Sequence, residues 1–103
     1  MADFENRAAA YLRDNHRDIL QGTPDEAIRQ SVREGIRRAS AYGITAELDV
    51  VRFIDLMYLM SPDFDTNLRT SWIGQVLKNS RVPTNERIGM IHEKAIAYKY
   101  HLK

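Results

Sequence analysis

Four groups of residues in this chain have types that could do chemistry. The most suggestive is the acidic run Pro62-Asp63-Phe64-Asp65-Thr66-Asn67. Asp63, Asp65 and Asn67 match the D-x-D-x-N opening of a calcium-binding loop. Such a loop also needs a glycine at its sixth position for a sharp turn and a bidentate glutamate at its twelfth. Those positions are Leu68 and Gly74, so the run does not predict a calcium site. It reads as a turn started by Pro62-Asp63, with Phe64 tucked into the core and Asp65 or Asn67 capping the next helix.

The second group is the histidines. His16, His92 and His101 are too scattered to ligate a metal from one helix, and His92-Glu93 lacks the second histidine of a zinc-protease helix. His92 is expected to be half-buried with a hydrogen-bond partner. The third group is the serines, Ser31, Ser40, Ser61, Ser71 and Ser80. None sits in the strand–turn–helix elbow that arms a nucleophile, and there is no glycine-rich phosphate loop. These residues predict no metal, no cofactor and no catalytic centre.

The fourth group is a run of arginines. Arg29, Arg33 and Arg37 recur every fourth residue with Arg38 adjacent, which makes one stripe on a helix. Asp25, Glu26 and Glu34 share the segment, and Glu34 is placed to pair with Arg38. The stripe is either a solvated face, a surface for an acidic protein partner or, last, a phosphate-binding face.

The elements that must position these residues are helices. The chain is organised around residues 45–65, TAELDVVRFIDLMYLMSPDFD. From Val50 to Met60 only Arg52 and Asp55 are charged, and they lie three apart on one narrow stripe. A helix apolar nearly all round is surrounded by other elements, and this one is too short for a bilayer, which needs roughly 20 apolar residues. Thr45 is expected to cap it and Pro62 to stop it.

Before it, residues 3–20 read as a first helix with Phe4, Ala8, Tyr11, Leu12, Asn15 and Ile19 on one side and Arg7, Arg13, Asp14, Arg17 and Asp18 facing out. Thr23-Pro24-Asp25-Glu26 has the form of a capping box with proline at the first helical position. The second helix runs from there to about Tyr42. It buries Ile28, Val32, Gly35, Ile36 and Ala39, with Gly35 permitting a close neighbour and Gly43 ending it.

After the central helix, a short helix over about 68–79 is expected, with Trp72, Ile73, Val76 and Leu77 making one face. Thr84 then caps a last helix to about Tyr100, with Ile88, Ile91, Ala95 and Tyr98 as its stripe and His92 and Ile96 beside it. No stretch alternates as a strand would. The fold predicted is an all-α bundle of about five helices in one domain over 1–103. Helices two and three do not make a DNA-reading helix-turn-helix, because VVRFIDLMYLM belongs in a core and not in a major groove.

Composition agrees with this. At 44% hydrophobic and 28% charged the chain is ordinary globular protein. Fifteen bases against 14 acids, a net charge of +1, give no charge argument for nucleic acid or an anionic membrane. There is no cysteine, which excludes disulfide and thiolate chemistry. MADFENRAAAYLRD carries acids where a secretion signal needs bases, so a cytoplasmic location is expected. The tail AYKYHLK mixes aromatics with bases and either docks or frays.

Tyr42-Gly43-Ile44, Val51 to Met60, Ser61-Pro62-Asp63-Phe64-Asp65, then Trp72 and Leu77 form a pattern over roughly residues 42–90. It resembles small helical accessory proteins encoded beside effectors and tip proteins in bacterial type VI secretion clusters. Ser61 stands where that pattern has glycine. The resemblance implies an adaptor or co-chaperone that handles a secreted effector and carries over no catalytic residue. The function expected is therefore a non-enzymatic protein-interaction module whose partner is an effector, chaperone or tip protein. An immunity protein against a toxin and a small nucleic-acid-binding regulator are the alternatives. The candidate partner-binding residues are Arg29, Arg33, Arg37, Arg38, Asp63, Asp65 and Trp72.

Overall fold

A computed structural model describes residues 2–101. Its elements are α1 (Ala2–Asn15), α2 (Arg17–Leu20), α3 (Asp25–Ser40), α4 (Glu47–Leu59), a 3-10 turn (Leu68–Thr70), α5 (Ser71–Leu77) and α6 (Thr84–His101). Among the described residues every regular element is helical. α4 packs against α6, α3 and α1; α3 packs against α1, and α5 against α6. The principal extents are 38 × 35 × 20 Å. α4 is enclosed by α1, α3 and α6.

The central helix is where the apolar run places it. Val50, Phe53, Ile54, Leu56 and Met57 are all buried. The expected stripe of α3 is also inside, with Ile28, Val32, Gly35 and Ala39 buried and Ile36 half-buried. Gly35 lies against Ile54, where an added Cβ would come within 2.4 Å of Ile54 Cγ1. Gly43 ends the helix as its type predicts. It sits at φ +77, and the N–H groups of Gly43 and Ile44 return to the carbonyls of Ser40 and Ala39, the double closure that needs a left-handed residue. On α6, Ile88, Ile91 and Ala95 are buried, with His92 and Ile96 half-buried beside them. The side chains of residues 98–101, and with them the expected packing of Tyr98 and the tail, lie outside the described residues.

Three expectations are corrected. The first helix is broken at His16, whose φ of −131 and ψ of 44 are non-helical. The break turns His16 and Leu20 inward and leaves Asn15 and Ile19 in solvent, Ile19 at 55% exposure. Arg13 also leaves the outer face, half-buried and bridging to the Thr23 carbonyl and Asp25. Second, the N-terminal caps fall one residue later or earlier than read. Pro24, extended at ψ 146, precedes the first helical residue of α3, and its carbonyl takes the first return bonds, so Thr23 stands outside and no side-chain cap forms. Ala46 does the same for α4 in place of Thr45. Thr84 is already helical, and the Pro83 carbonyl accepts from Glu86 and Arg87. Third, the expected helix over 68–79 is a 3-10 turn followed by the short α5. Ile73 and Leu77 are fully buried, but Trp72 is 39% exposed. Gly74 sets that rotation, because its Cα side faces the Asp65 backbone carbonyl so closely that a Cβ would stand 2.8 Å from it.

Candidate functional site: a basic hairpin and a neutralised arginine face

The arginine stripe forms on α3, and its charge is balanced inside the chain. Arg33 Nε and Nη1 reach Glu5 and Glu26, both at 3.0 Å. Arg29 lies 3.6 Å from Glu26 and donates to Asn6 Oδ1 at 3.3 Å. Glu34 pairs with Arg37 and not with Arg38 as expected. These exposed contacts hold the Glu26 and Glu34 carboxyls below their usual range, through hydrogen bonds from Arg33 and Arg37 respectively.

Arg38 has a different task. It donates to the Pro62 carbonyl and to the buried carboxylate of Asp65. The Tyr42 hydroxyl donates to the other Asp65 oxygen at 2.8 Å. Burial, and then this bond to Asp65, push the Tyr42 hydroxyl up to about 12. The network ties the end of α3 to the loop that delivers Phe64. Phe64 is fully buried against Phe53, ring centroids 4.9 Å apart. Two candidate residues, Arg38 and Asp65, are therefore joined to each other inside the fold.

Asp63 and Asp65 do not converge. Asp63 accepts from Ser61 Oγ at 2.8 Å and from Asn67 at 3.4 Å, while its carbonyl takes the N–H groups of Thr66 and Asn67. The Ser61 hydrogen bond holds the Asp63 carboxyl below its usual range. The residue before α5 is Thr70, with no side-chain cap; Asn67 directly precedes the 3-10 turn that leads into α5, and its carbonyl accepts from the Thr70 N–H, while Asp65 is held by Arg38 and Tyr42. Among the described residues no group of three or more His, Asp or Glu side chains is placed so that it could hold a metal ion.

Sequence reasoning missed a polar cluster in the core. Asp55 on α4 is buried between two imidazoles, with His16 Nε2 2.6 Å from Oδ1 and His92 Nε2 2.6 Å from Oδ2. Burial pushes the Asp55 carboxyl up, and the hydrogen bonds from His92 and His16 outweigh it, so the group is held below its ordinary range. His16 stacks on Tyr58 at 5.2 Å, and the Tyr58 hydroxyl meets Ser31 Oγ at 2.5 Å. Each imidazole spends Nε2 on the carboxylate. The cluster fastens the α1–α2 break and α6 to the central helix. A signal for it was present: a lone carboxylate in an apolar helix must find buried donors.

Trp72, the remaining candidate, lies on the hairpin made by α5 and the start of α6. The Lys94 ammonium stands over its ring, 6.0 Å from the centroid, within cation–π range. Leu68, one turn before Trp72, is 91% exposed, and Met90, one turn before Lys94, is 39% exposed. A second exposed apolar feature lies between α1 and α4, a groove of about 370 Å³ lined by Phe4, Tyr11, Leu48 and Val51.

Comparison of the chain with protein-family models, with curated proteins and with solved structures returns no match in any of the three. Fold and surface thus define the class, an all-helical bundle. No helix of the described residues is long and apolar enough to cross a membrane.

Proposed function

We propose that this protein is a non-enzymatic interaction module. It acts as a small cytoplasmic adaptor or co-chaperone that handles a secreted effector in a type VI secretion setting. The observation that carries the interaction reading is the exposure of Leu68, Trp72 and Met90 on the 3-10 turn, α5 and α6, with Leu68 almost wholly in water and Trp72 brought against α6 by Lys94. Scattered exposed apolar residues need no explanation, but grouped ones on a protein of this size mark a surface built to be covered. The secretion setting is supported by the resemblance alone. Its signature residues Tyr42, Phe64 and Asp65 form one structural unit here, as expected of a motif that shapes a scaffold.

The test is affinity capture from the source cell with the folded protein as bait. A single specific protein should be retained in stoichiometric amount; recovery of none overturns the reading. Co-expression with a toxin encoded alongside separates loading from immunity. Continued killing with retained binding is expected of a loader, and survival assigns the chain to immunity.

A further inference from the structure

The cations of this chain divide sharply. Residues 1–65 carry eight bases and twelve acids, a net charge of −4; residues 66–103 carry seven bases and two acids, a net charge of +5. The contacts divide in the same way. All eight arginines of the first part, Arg7, Arg13, Arg17, Arg29, Arg33, Arg37, Arg38 and Arg52, lie within 4 Å of a carboxylate. In the second part Lys78, Arg81 and Lys94 are exposed and have no carboxylate partner among the described residues. Arg87 is buried and caps the end of α5 through the Leu77 carbonyl.

The unpaired cations and the bare apolar side chains belong to the same hairpin. Lys94 covers the Trp72 ring at one end. Lys78 and Arg81 stand at the other, in the turn that follows α5. From Trp72 to Lys78 the helix advances about 9 Å, at 1.5 Å per residue. We infer that the α5–α6 hairpin, through Leu68, Trp72, Met90, Lys94, Lys78 and Arg81, docks an acidic amphipathic helical segment of a partner protein. This deepens the interaction reading above and rests on it. An apolar stripe on the segment covers Leu68, Trp72 and Met90, and its carboxylates take the positions left open at Lys94, Lys78 and Arg81. That is recognition of an amphipathic helix through its apolar face, with charge complementarity at the rim.

The same chemistry fits a single-stranded nucleic acid less well. Such a ligand stacks its bases on an aromatic face, and the Trp72 face is already occupied by Lys94. A phosphate backbone also leaves Leu68 and Met90 in water.

Trp72 is the sole tryptophan, so the surface reports on itself. The probe is a synthetic amphipathic peptide of leucine and glutamate a few turns long. It should shift Trp72 emission to the blue saturably, and raised salt should weaken it. Lys94→Glu and Arg81→Glu, on separate elements, should each weaken binding of the labelled peptide about tenfold, as should Leu68→Ala. Arg17→Glu, at an exposed arginine already paired with Asp14, should leave it unchanged. Absence of binding, equal binding of the lysine-for-glutamate peptide, or binding of oligothymidylate in place of peptide each overturns the inference.

The two proposals fail separately. A captured partner that ignores Lys94→Glu and Arg81→Glu and is lost on Leu48→Glu removes the hairpin while leaving the adaptor reading intact. Failure to capture any protein removes the adaptor reading.

Discussion

Gly35 of α3 and Ile54 of α4 touch without a side chain between them. A methyl group added to Gly35 would stand 2.4 Å from Ile54 Cγ1 and 3.2 Å from its Cδ1. Ile54 is β-branched and buried, so it has little room to yield. On an exposed helix, glycine to alanine gains about 1 kcal/mol. Here Gly35→Ala should lower the melting temperature. Gly35→Ala with Ile54→Ala should be less destabilised than the two single effects added, which a double-mutant cycle by thermal unfolding measures.

Asp55 should dominate the acid stability of the protein. The folded state keeps its carboxyl ionised to lower pH than the unfolded chain does. Its contribution is therefore complete above the ordinary carboxylate pKa and drains away as the pH falls through and below that value. Asp55→Asn removes the charge that both histidines bind and should cost about 3 kcal/mol at neutral pH. For a chain of this length that is a fall in melting temperature of roughly 12–24 °C. Below about pH 4 the gap between the variant and the parent should narrow. Melting curves across that range decide it; a constant gap refutes the assignment.

Tyr42 should ionise later than an ordinary tyrosine. Its hydroxyl, pushed up to about 12, keeps its proton in the folded state while the unfolded chain has lost it. Stability must therefore fall as the pH rises from the ordinary tyrosine value toward 12. Ultraviolet titration of tyrosinate absorbance should lose a late component in Tyr42→Phe. Asp65→Asn should move that component to lower pH.

Gly74 should resist replacement although it lies in a helix. A Cβ there would press on the backbone carbonyl of Asp65, which cannot rotate aside as a side chain does. Gly74→Ala should shift the loop that carries Phe64 and lower the melting temperature despite its better helix propensity. Trp72 emission, two residues away, should change with it. Unchanged emission and a raised melting temperature would show that the loop gives way freely.

Much of the fold was legible because it depends on local pattern. The apolar circumference of Val50–Met60 placed α4, the glycine types at 35 and 43 announced a close contact and a left-handed stop, and Pro62-Asp63-Phe64 announced a turn with a buried ring. What failed depends on distance along the chain. His16, Asp55 and His92 are dozens of residues apart, and no spacing rule joins them. The acids that α3 itself supplies to its arginines, Glu26 and Glu34, could be read from the sequence, but those that Arg33 and Arg38 find on α1 and in the loop after α4 could not.

The enclosure of α4 also governs how the protein comes apart. Its apolar side chains are covered by α1, α3 and α6 together, so lifting any one of those helices admits water to the same core. Loss of ellipticity, which reports all helices, and loss of the Trp72 signal, which reports α5 alone, should therefore superimpose as one transition.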